Sequence, residues 1–273
     1  MKAILDKFFD ETLLSHEEKE PQRFEFRGSS LPICPTYLML GKFHTLEKTL
    51  DFKTKYHFAI GHAIHDLVQA TWAKQGLLWG DWQCLAEDCK ANFKRKRLTS
   101  CLRCGGPLKY VEMFFDIKEF GISGHCDGLL WVEKLNGYVV VELKSRNFNI
   151  IKSYQGSEPY DSDIYQVSTY ATMLSRKYWL PILGRYIIWI GKPRPKPFLT
   201  WFYPGLGADL FDEQVKLNNE MEQKVKEGKV REVQGVCETY SDSGGCTFAP
   251  VCFSPNKNEL IEAAYQEWKC LKT

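Results

Sequence analysis

The sequence predicts an α/β fold, and three observations carry that prediction. The apolar run YVVVELK at 138–144 reads as a strand buried on both faces. Residues 57–76 and 163–174 carry helical periodicity on either side of it in the chain. Asn136-Gly137 is a hairpin turn signal that pairs the buried strand with the one before it.

The elements follow in order. In HFAIGHAIHDLVQATWAKQG, Ile60, Ala63, Ile64, Leu67 and Val68 share one side of a helix, with His65 close to that face. Next comes a cysteine-rich stretch, expected to be a small inserted subdomain over 80–110. Asp127 follows GISGHC and opens the strand DGLLWVE. Antiparallel pairing across Asn136-Gly137 brings Asp127 beside the Glu142 end of YVVVELK. Residues two apart share a strand face, so Glu142 and Lys144 project together while Leu143 turns into a core. A second helix, entered at Asp161 or Ser162, puts Gln166 and Tyr170 on one side. RYIIWIGK reads as a further buried strand, PRPKPFLTWFYP as a basic turn and an aromatic edge strand, and DLFDEQVKLNNEMEQKVKEGK as an amphipathic helix with a glycine stop.

At 273 residues, 44% hydrophobic and 14% aromatic, the chain can bury a sizeable core as one domain, 1–273, with an insertion. No apolar run approaches membrane-spanning length, and the N-terminus MKAILDKFFDETLLSHEEKE is too acidic for a signal peptide. These features predict a cytoplasmic protein with no membrane partner. There is no internal repeat, Walker motif or helicase segment, so no ATP motor is expected.

The chemistry concentrates in D-x14-E-x-K, formed by Asp127, Glu142 and Lys144. Two carboxylates and an ammonium at the end of a buried strand need partners. Hard oxygen donors suit Mg²⁺ or Mn²⁺, which hold a scissile phosphate and lower the pKa of a bound water, while the lysine orients that water or stabilises developing charge. The plain alternative is an exposed Glu/Lys pair at a strand end, with Asp127 as a turn residue.

The order His65, Asp127, Glu142-x-Lys144, Gln166-x-x-x-Tyr170 resembles the RecB-like exonuclease branch of the PD-(D/E)XK nucleases, over roughly Cys34 to Cys252. The resemblance implies a restriction-endonuclease-like central mixed sheet flanked by helices. It makes His65, Asp127, Glu142 and the Leu143 carbonyl metal ligands, Lys144 the catalytic lysine, and Gln166 and Tyr170 supports for DNA and the active site.

The ten cysteines fall mostly into two sets. The first is local, Cys84-x4-Cys89-x11-Cys101-x2-Cys104, with CLRCGG as a knuckle. Four thiolates at this spacing predict a structural Zn²⁺ ribbon rather than disulfides or free buried cysteines. Lys94, Arg95, Lys96, Arg97 and Arg103 lie within it, and no acidic residue occurs from Lys90 to Val111. With a net charge of only +2, that local excess predicts contact with a phosphate backbone; the alternative is a solvated face.

The second set is dispersed: Cys34, then Cys237, Cys246 and Cys252. One N-terminal and three C-terminal cysteines resemble the iron–sulfur RecB-like nucleases, the AddB-type and CRISPR-associated enzymes. That resemblance implies a [4Fe–4S] cluster joining Cys34 to a C-terminal region at 230–256. The eight residues between Cys237 and Cys246, ETYSDSGG, depart from the family spacing of two, and zinc is the competing ion.

The expected function is therefore metal-dependent hydrolysis of DNA, as an exonuclease on single strands or ends, with replication, recombination or CRISPR-adaptation proteins as possible partners. The alternatives are a nucleic-acid-binding accessory protein that retains a nuclease fold, and a structure-specific endonuclease or RNA nuclease.

Overall fold

The computed structural model describes residues 26–27, 52–117, 122–192, 198–226 and 254–272. The chain divides into two compact units. One comprises Met1–Phe26, Ser30–Tyr56 and Asp212–Thr273, and the other Arg27–Ser29 and His57–Phe211. The strands in chain order are β1 (Phe26–Arg27), β2 (Trp79–Cys84), β3 (Asn92–Arg97), β4 (Leu108–Val111), β5 (Met113–Ile117), β6 (Ile122–Cys126), β7 (Gly128–Val132), β8 (Gly137–Asn147), β9 (Ile182–Lys192) and β10 (Leu199–Pro204). The helices are α1 (Phe52–Lys74), α2 (Phe148–Ser153), α3 (Asp161–Tyr178), α4 (Ala208–Lys226) and α5 (Lys257–Lys272). In the first unit, α5 buries Ile261, Ala264 and Tyr265, a three-and-four spacing that makes one helical stripe.

The second unit is mixed α/β. Its main sheet has the order β10-β9-β8-β7, with β8 and β9 parallel and the outer pairs antiparallel. Parallel neighbours need a crossover, which α2 and α3 supply between β8 and β9. The core residues Val140, Val141, Leu143, Ile187 and Trp189 come from the two central strands. Helix α3 adds Val167, Ala171, Met173 and Leu174. This explains why YVVVELK and RYIIWIGK read as continuous apolar runs.

The hairpin of β7 and β8 pairs Gly128 with Val141 and Val132 with Gly137. Its connection is longer than a two-residue turn: a 3₁₀ segment, Glu133–Leu135, precedes Asn136, which takes a left-handed φ of 50°. Asparagine tolerates that region better than most residues, so the turn signal was real although its extent was not legible.

A separate antiparallel sheet, β3-β2-β4, forms the cysteine-rich ribbon. Its buried residues Trp82 and Tyr110, with Leu78 just before β2, form one cluster with Trp72 and Ala73 of α1 and Leu130 of β7. Leu78 bridges Leu130, and Trp131 N–H donates to the Leu77 carbonyl at 2.9 Å. The ribbon thus shares an apolar core with the sheet and helix on either side of it in sequence.

Helix α1 departs from its apolar stripe. Leu67 is 69% exposed, whereas Gln69 is buried. The buried face is set by what packs below: a Cβ on Gly128 would lie 3.1 Å from the Trp72 ring, so the strand passes close beneath that tryptophan. Trp72 and Gln69 therefore decide which side faces in.

Candidate active site

Two helices, one strand and two strand junctions of the second unit bring their side chains into one acidic cluster. Helix α1 contributes His65 and, one turn later, Gln69. Glu112 stands between β4 and β5, Asp127 between β6 and β7, and Glu142 and Lys144 lie on β8. Helix α3 presents Gln166 and Tyr170 from successive turns. A glycine lets α3 come close, because a Cβ on Gly124 of β6 would lie 2.8 Å from the Tyr170 ring.

His65, Glu112 and Asp127 each offer a ligand atom within 4.8 Å of the others. His65 Nδ1 lies 3.6 Å from Asp127 Oδ1 and 4.0 Å from Glu112 Oε1. The other Asp127 oxygen accepts the Leu143 N–H at 2.7 Å, which ties the carboxylate to β8. Beside this cluster runs a hydrogen-bonded row. Lys144 Nζ donates to Glu142 Oε1 at 2.6 Å and to Gln166 Oε1 at 2.8 Å, and Gln166 Nε2 donates to the Tyr170 hydroxyl at 3.1 Å.

The electrostatics are those of acids held too close together. Burial, then the Asp127 charge, pushes Glu142 well above the usual carboxylate range against the pull of Lys144. Burial and Asp127 also raise Glu112, while Gln69 and His65 oppose them. Burial alone would lower His65 and Lys144, yet the surrounding carboxylates raise both. Glu142 Oε2 is buried without a hydrogen-bond partner among the described residues. A hard divalent cation answers both the repulsion and the orphaned oxygen. The spacing also suits it, since metal–oxygen bonds of about 2.1 Å put ligand atoms ~3–4 Å apart.

The structure brings His65, Asp127, Glu142, Lys144, Gln166 and Tyr170 together, but Glu142 and the Leu143 carbonyl, expected as metal ligands, are not part of the three-ligand cluster. Glu142 stands beside the three-ligand cluster, with one oxygen turned onto Lys144. Leu143 contributes a buried N–H that orients Asp127. Glu112 was missed by sequence reasoning. Its available signal was position, as the first acid after the acid-free stretch of the ribbon, but nothing local distinguishes it from a surface glutamate.

Two residues beyond Lys144 on the same strand, Arg146 Nη2 donates to both oxygens of Asp163, at 2.7 and 2.9 Å, and Trp189 Nε1 donates to the same carboxylate at 2.8 Å. Arg146 also lies over the Tyr160 and Trp189 rings, at 4.7 and 4.9 Å. This buried assembly holds the start of α3, and hence Gln166, against β8.

The thiols of Cys84, Cys89, Cys101 and Cys104 lie within 4.8 Å of one another, with Sγ–Sγ separations of 3.6 Å for Cys84–Cys104 and 3.7 Å for Cys89–Cys101. Zinc–sulfur bonds of about 2.3 Å in a tetrahedron give edges of ~3.8 Å, so the set fits that ion. Burial would raise Cys101, but the Cys104 and Arg103 N–H groups draw it down to about 6; at Cys84 the Ala86 backbone hydrogen bond pulls down, yet burial and then the other three thiols push it up to about 12. A cation removes this conflict. The backbone is already aimed at the sulfurs: Arg103 N–H donates to Cys101 Sγ and Gly106 N–H to Cys104 Sγ, each at 3.4 Å.

The basic strand is exposed, yet several of its charges are engaged within the chain. Lys94 pairs with Asp81 at 2.8 Å, Arg95 lies 4.4 Å from the Tyr178 ring centre, and Arg97 reaches Glu133 and the Trp131 ring. Lys96 and Arg103 are also exposed. Cys34, Cys237, Cys246 and Cys252 lie outside the described residues. Among the described residues no helix is long and apolar enough to cross a membrane.

No family model and no curated protein matches the chain. Among solved structures, it is similar to the crystal structure of SSO0001, with 17% identity and a TM-score of 0.40, covering 94% of this chain and 96% of that one. It is also similar to LHK-Exo in complex with dAMP, with 11% identity and a TM-score of 0.43, covering 82% of this chain and 97% of that one. At those scores neither likeness bears on function.

Proposed function

We propose that this protein is a metal-dependent DNA nuclease of the RecB-like PD-(D/E)XK type, an exonuclease acting on single strands or ends. The observation that supports the reading is the buried Glu142–Lys144–Gln166 row set against the His65, Glu112 and Asp127 cluster. A bound Mg²⁺ or Mn²⁺ supplies Lewis acidity toward a phosphate and lowers the pKa of a coordinated water. The chain's own residues do the rest. His65, Glu112 and Asp127 would hold the cation, with Glu142 beside them keeping one buried oxygen without a hydrogen-bond partner among the described residues. Lys144 spends two of its three donors on Glu142 and Gln166, so its head is fixed and the third N–H is left for the attacking water or a phosphate oxygen. Tyr170 keeps Gln166 in place. The reacting phosphate is common to DNA and RNA, so the choice of DNA, and of its ends, follows from the resemblance to the RecB-like exonucleases.

A panel of labelled single-stranded DNA, duplex DNA, flapped DNA and RNA, each with Mg²⁺ and Mn²⁺, tests this directly. The expected result is progressive shortening of DNA from an end. Binding without cleavage of any substrate would point to an accessory protein, and cleavage confined to RNA or to a flap junction would move the assignment to those nucleases.

By the resemblance to the iron–sulfur RecB-like nucleases, and despite the longer step from Cys237 to Cys246, Cys34, Cys237, Cys246 and Cys252 would hold a [4Fe–4S] cluster alongside the ribbon zinc. Protein purified anaerobically is expected to show broad blue-region absorption and about four irons per chain. A colourless, iron-free preparation would assign these thiols to zinc.

A further inference from the structure

Glu112 is one residue beyond the last strand of the ribbon. In that strand, Leu108 sits opposite Cys84, Lys109 opposite Gln83, Tyr110 opposite Trp82, and Val111 opposite Asp81. The register is pinned at both ends. At one end lies the thiol knuckle, where Cys101 N–H donates to the Gly106 carbonyl at 2.9 Å and Leu85 N–H to the Pro107 carbonyl at 3.0 Å. At the other end Tyr110 is buried beneath β2, its ring 2.7 Å from where a Cβ on Gly80 would stand. A four-residue strand tied this way carries the position of the knuckle directly into the backbone of Glu112.

The carboxylate of Glu112 is then gripped from α1. Gln69 is 5% exposed, and its single amide nitrogen uses both protons: one goes to Glu112 Oε1 at 2.8 Å, the other to the Asp127 carbonyl oxygen at 2.9 Å. Gln69 thus joins the residue delivered by the ribbon to the residue delivered by the sheet, one helical turn from His65. The proposed metal chemistry needs Gln69 for none of its steps.

We propose that the four-cysteine ribbon is a positioning element of the acidic pocket: it delivers Glu112 through β4, and Gln69 is the positioning residue that locks this carboxylate to Asp127. The inference rests on the metal-dependent nuclease reading and adds to it a coupling between two metal sites. Residues that orient metal ligands from behind typically set affinity by about 10–100-fold. Coupling of this kind is also reciprocal, so occupation of the pocket must strengthen the thiolate site by the same factor that the thiolate site strengthens the pocket.

The test is Mn²⁺ binding to the full chain, followed by the loss of the free-ion paramagnetic signal. Wild type is expected to bind Mn²⁺ at a site that Asp127→Ala removes. Gln69→Leu should weaken that site about tenfold or more. Gln69→Met keeps the length and packing of the side chain but has no N–H donor, so it must weaken binding as much as leucine does, whereas a packing role would be restored by it. Cys104→Ser, zinc-free, should weaken Mn²⁺ binding in the same direction. Should that variant not fold, wild-type zinc affinity is measured by competition with a chelator, and it must rise when Mn²⁺ is saturating. Unchanged Mn²⁺ affinity in both Gln69 variants, or zinc affinity indifferent to Mn²⁺, overturns the coupling and leaves the nuclease reading standing. No Mn²⁺ site in wild type removes the nuclease reading and the coupling with it.

Discussion

Glu142→Gln and Lys144→Met should each reduce DNA cleavage by about three orders of magnitude, ~4 kcal/mol of transition-state stabilisation, while the protein stays folded. The expectation comes from what each group holds. Glutamine fills the space of Glu142 but cannot offer an anionic oxygen to a cation, and its amide would face Lys144 without charge. Methionine keeps the stem of Lys144 and removes its ammonium, so Glu142 and Gln166 lose the donor that lies between them at 2.6 and 2.8 Å. The structural cost stays smaller than the catalytic one, because burial already pushes Glu142 toward its neutral form and a lone carboxyl there can take up a proton. The measurement is the single-turnover cleavage rate, with circular dichroism and thermal melting on the same samples. Either variant retaining activity within tenfold of wild type, in a preparation free of contaminating nuclease, would exclude the proposed chemistry.

Cys101→Ser should release one zinc per chain and lower stability by at least ~5 kcal/mol, below the about 10–16 kcal/mol of apparent binding energy seen for isolated structural zinc sites. Cys101 is buried, its thiol receives the Arg103 N–H, and its own N–H closes the knuckle onto Gly106. Serine leaves three thiols around a cation that prefers four, and a hydroxyl in a site built for sulfur. The loss cannot stay local. Leu78, Trp82 and Tyr110 pack with Trp72, Ala73 and Leu130, so melting the ribbon exposes apolar surface of α1 and β7. One melting transition at lower temperature is expected, read by tryptophan fluorescence with metal analysis before and after. A variant that loses zinc and melts as wild type does would show the ribbon to be an independent appendage.

Much of the site was legible because periodicity fixes sidedness. Two-residue spacing on a buried strand put Glu142 and Lys144 on one face, and four-residue spacing on a helix put Gln166 and Tyr170 on another. The hairpin placed Asp127 opposite Glu142 because antiparallel pairing leaves little freedom once both strands are identified. The spacing also identified the four thiols as one set, although it is the pairing of the ribbon strands that brings Cys84 to Cys104 and Cys89 to Cys101. Sidedness failed for α1, whose apolar count pointed to Leu67 while its packing chose Gln69. It failed because a helix facing a polar pocket is not ordered by hydrophobicity alone.

By itself, then, the sequence determined the strands and helices that carry the chemistry, the face on which each acid and the lysine project, and the grouping of the ribbon thiols. All of these are local properties, set by backbone periodicity and short-range chain closure. Only the tertiary structure decided that Glu112 joins His65 and Asp127, that Gln69 spans two chain segments with one amide, and that the basic strand spends charges on Asp81 and Glu133. Those outcomes depend on which distant segments are brought within hydrogen-bonding range, and that is settled by the packing of the shared core around Leu78 and Trp82.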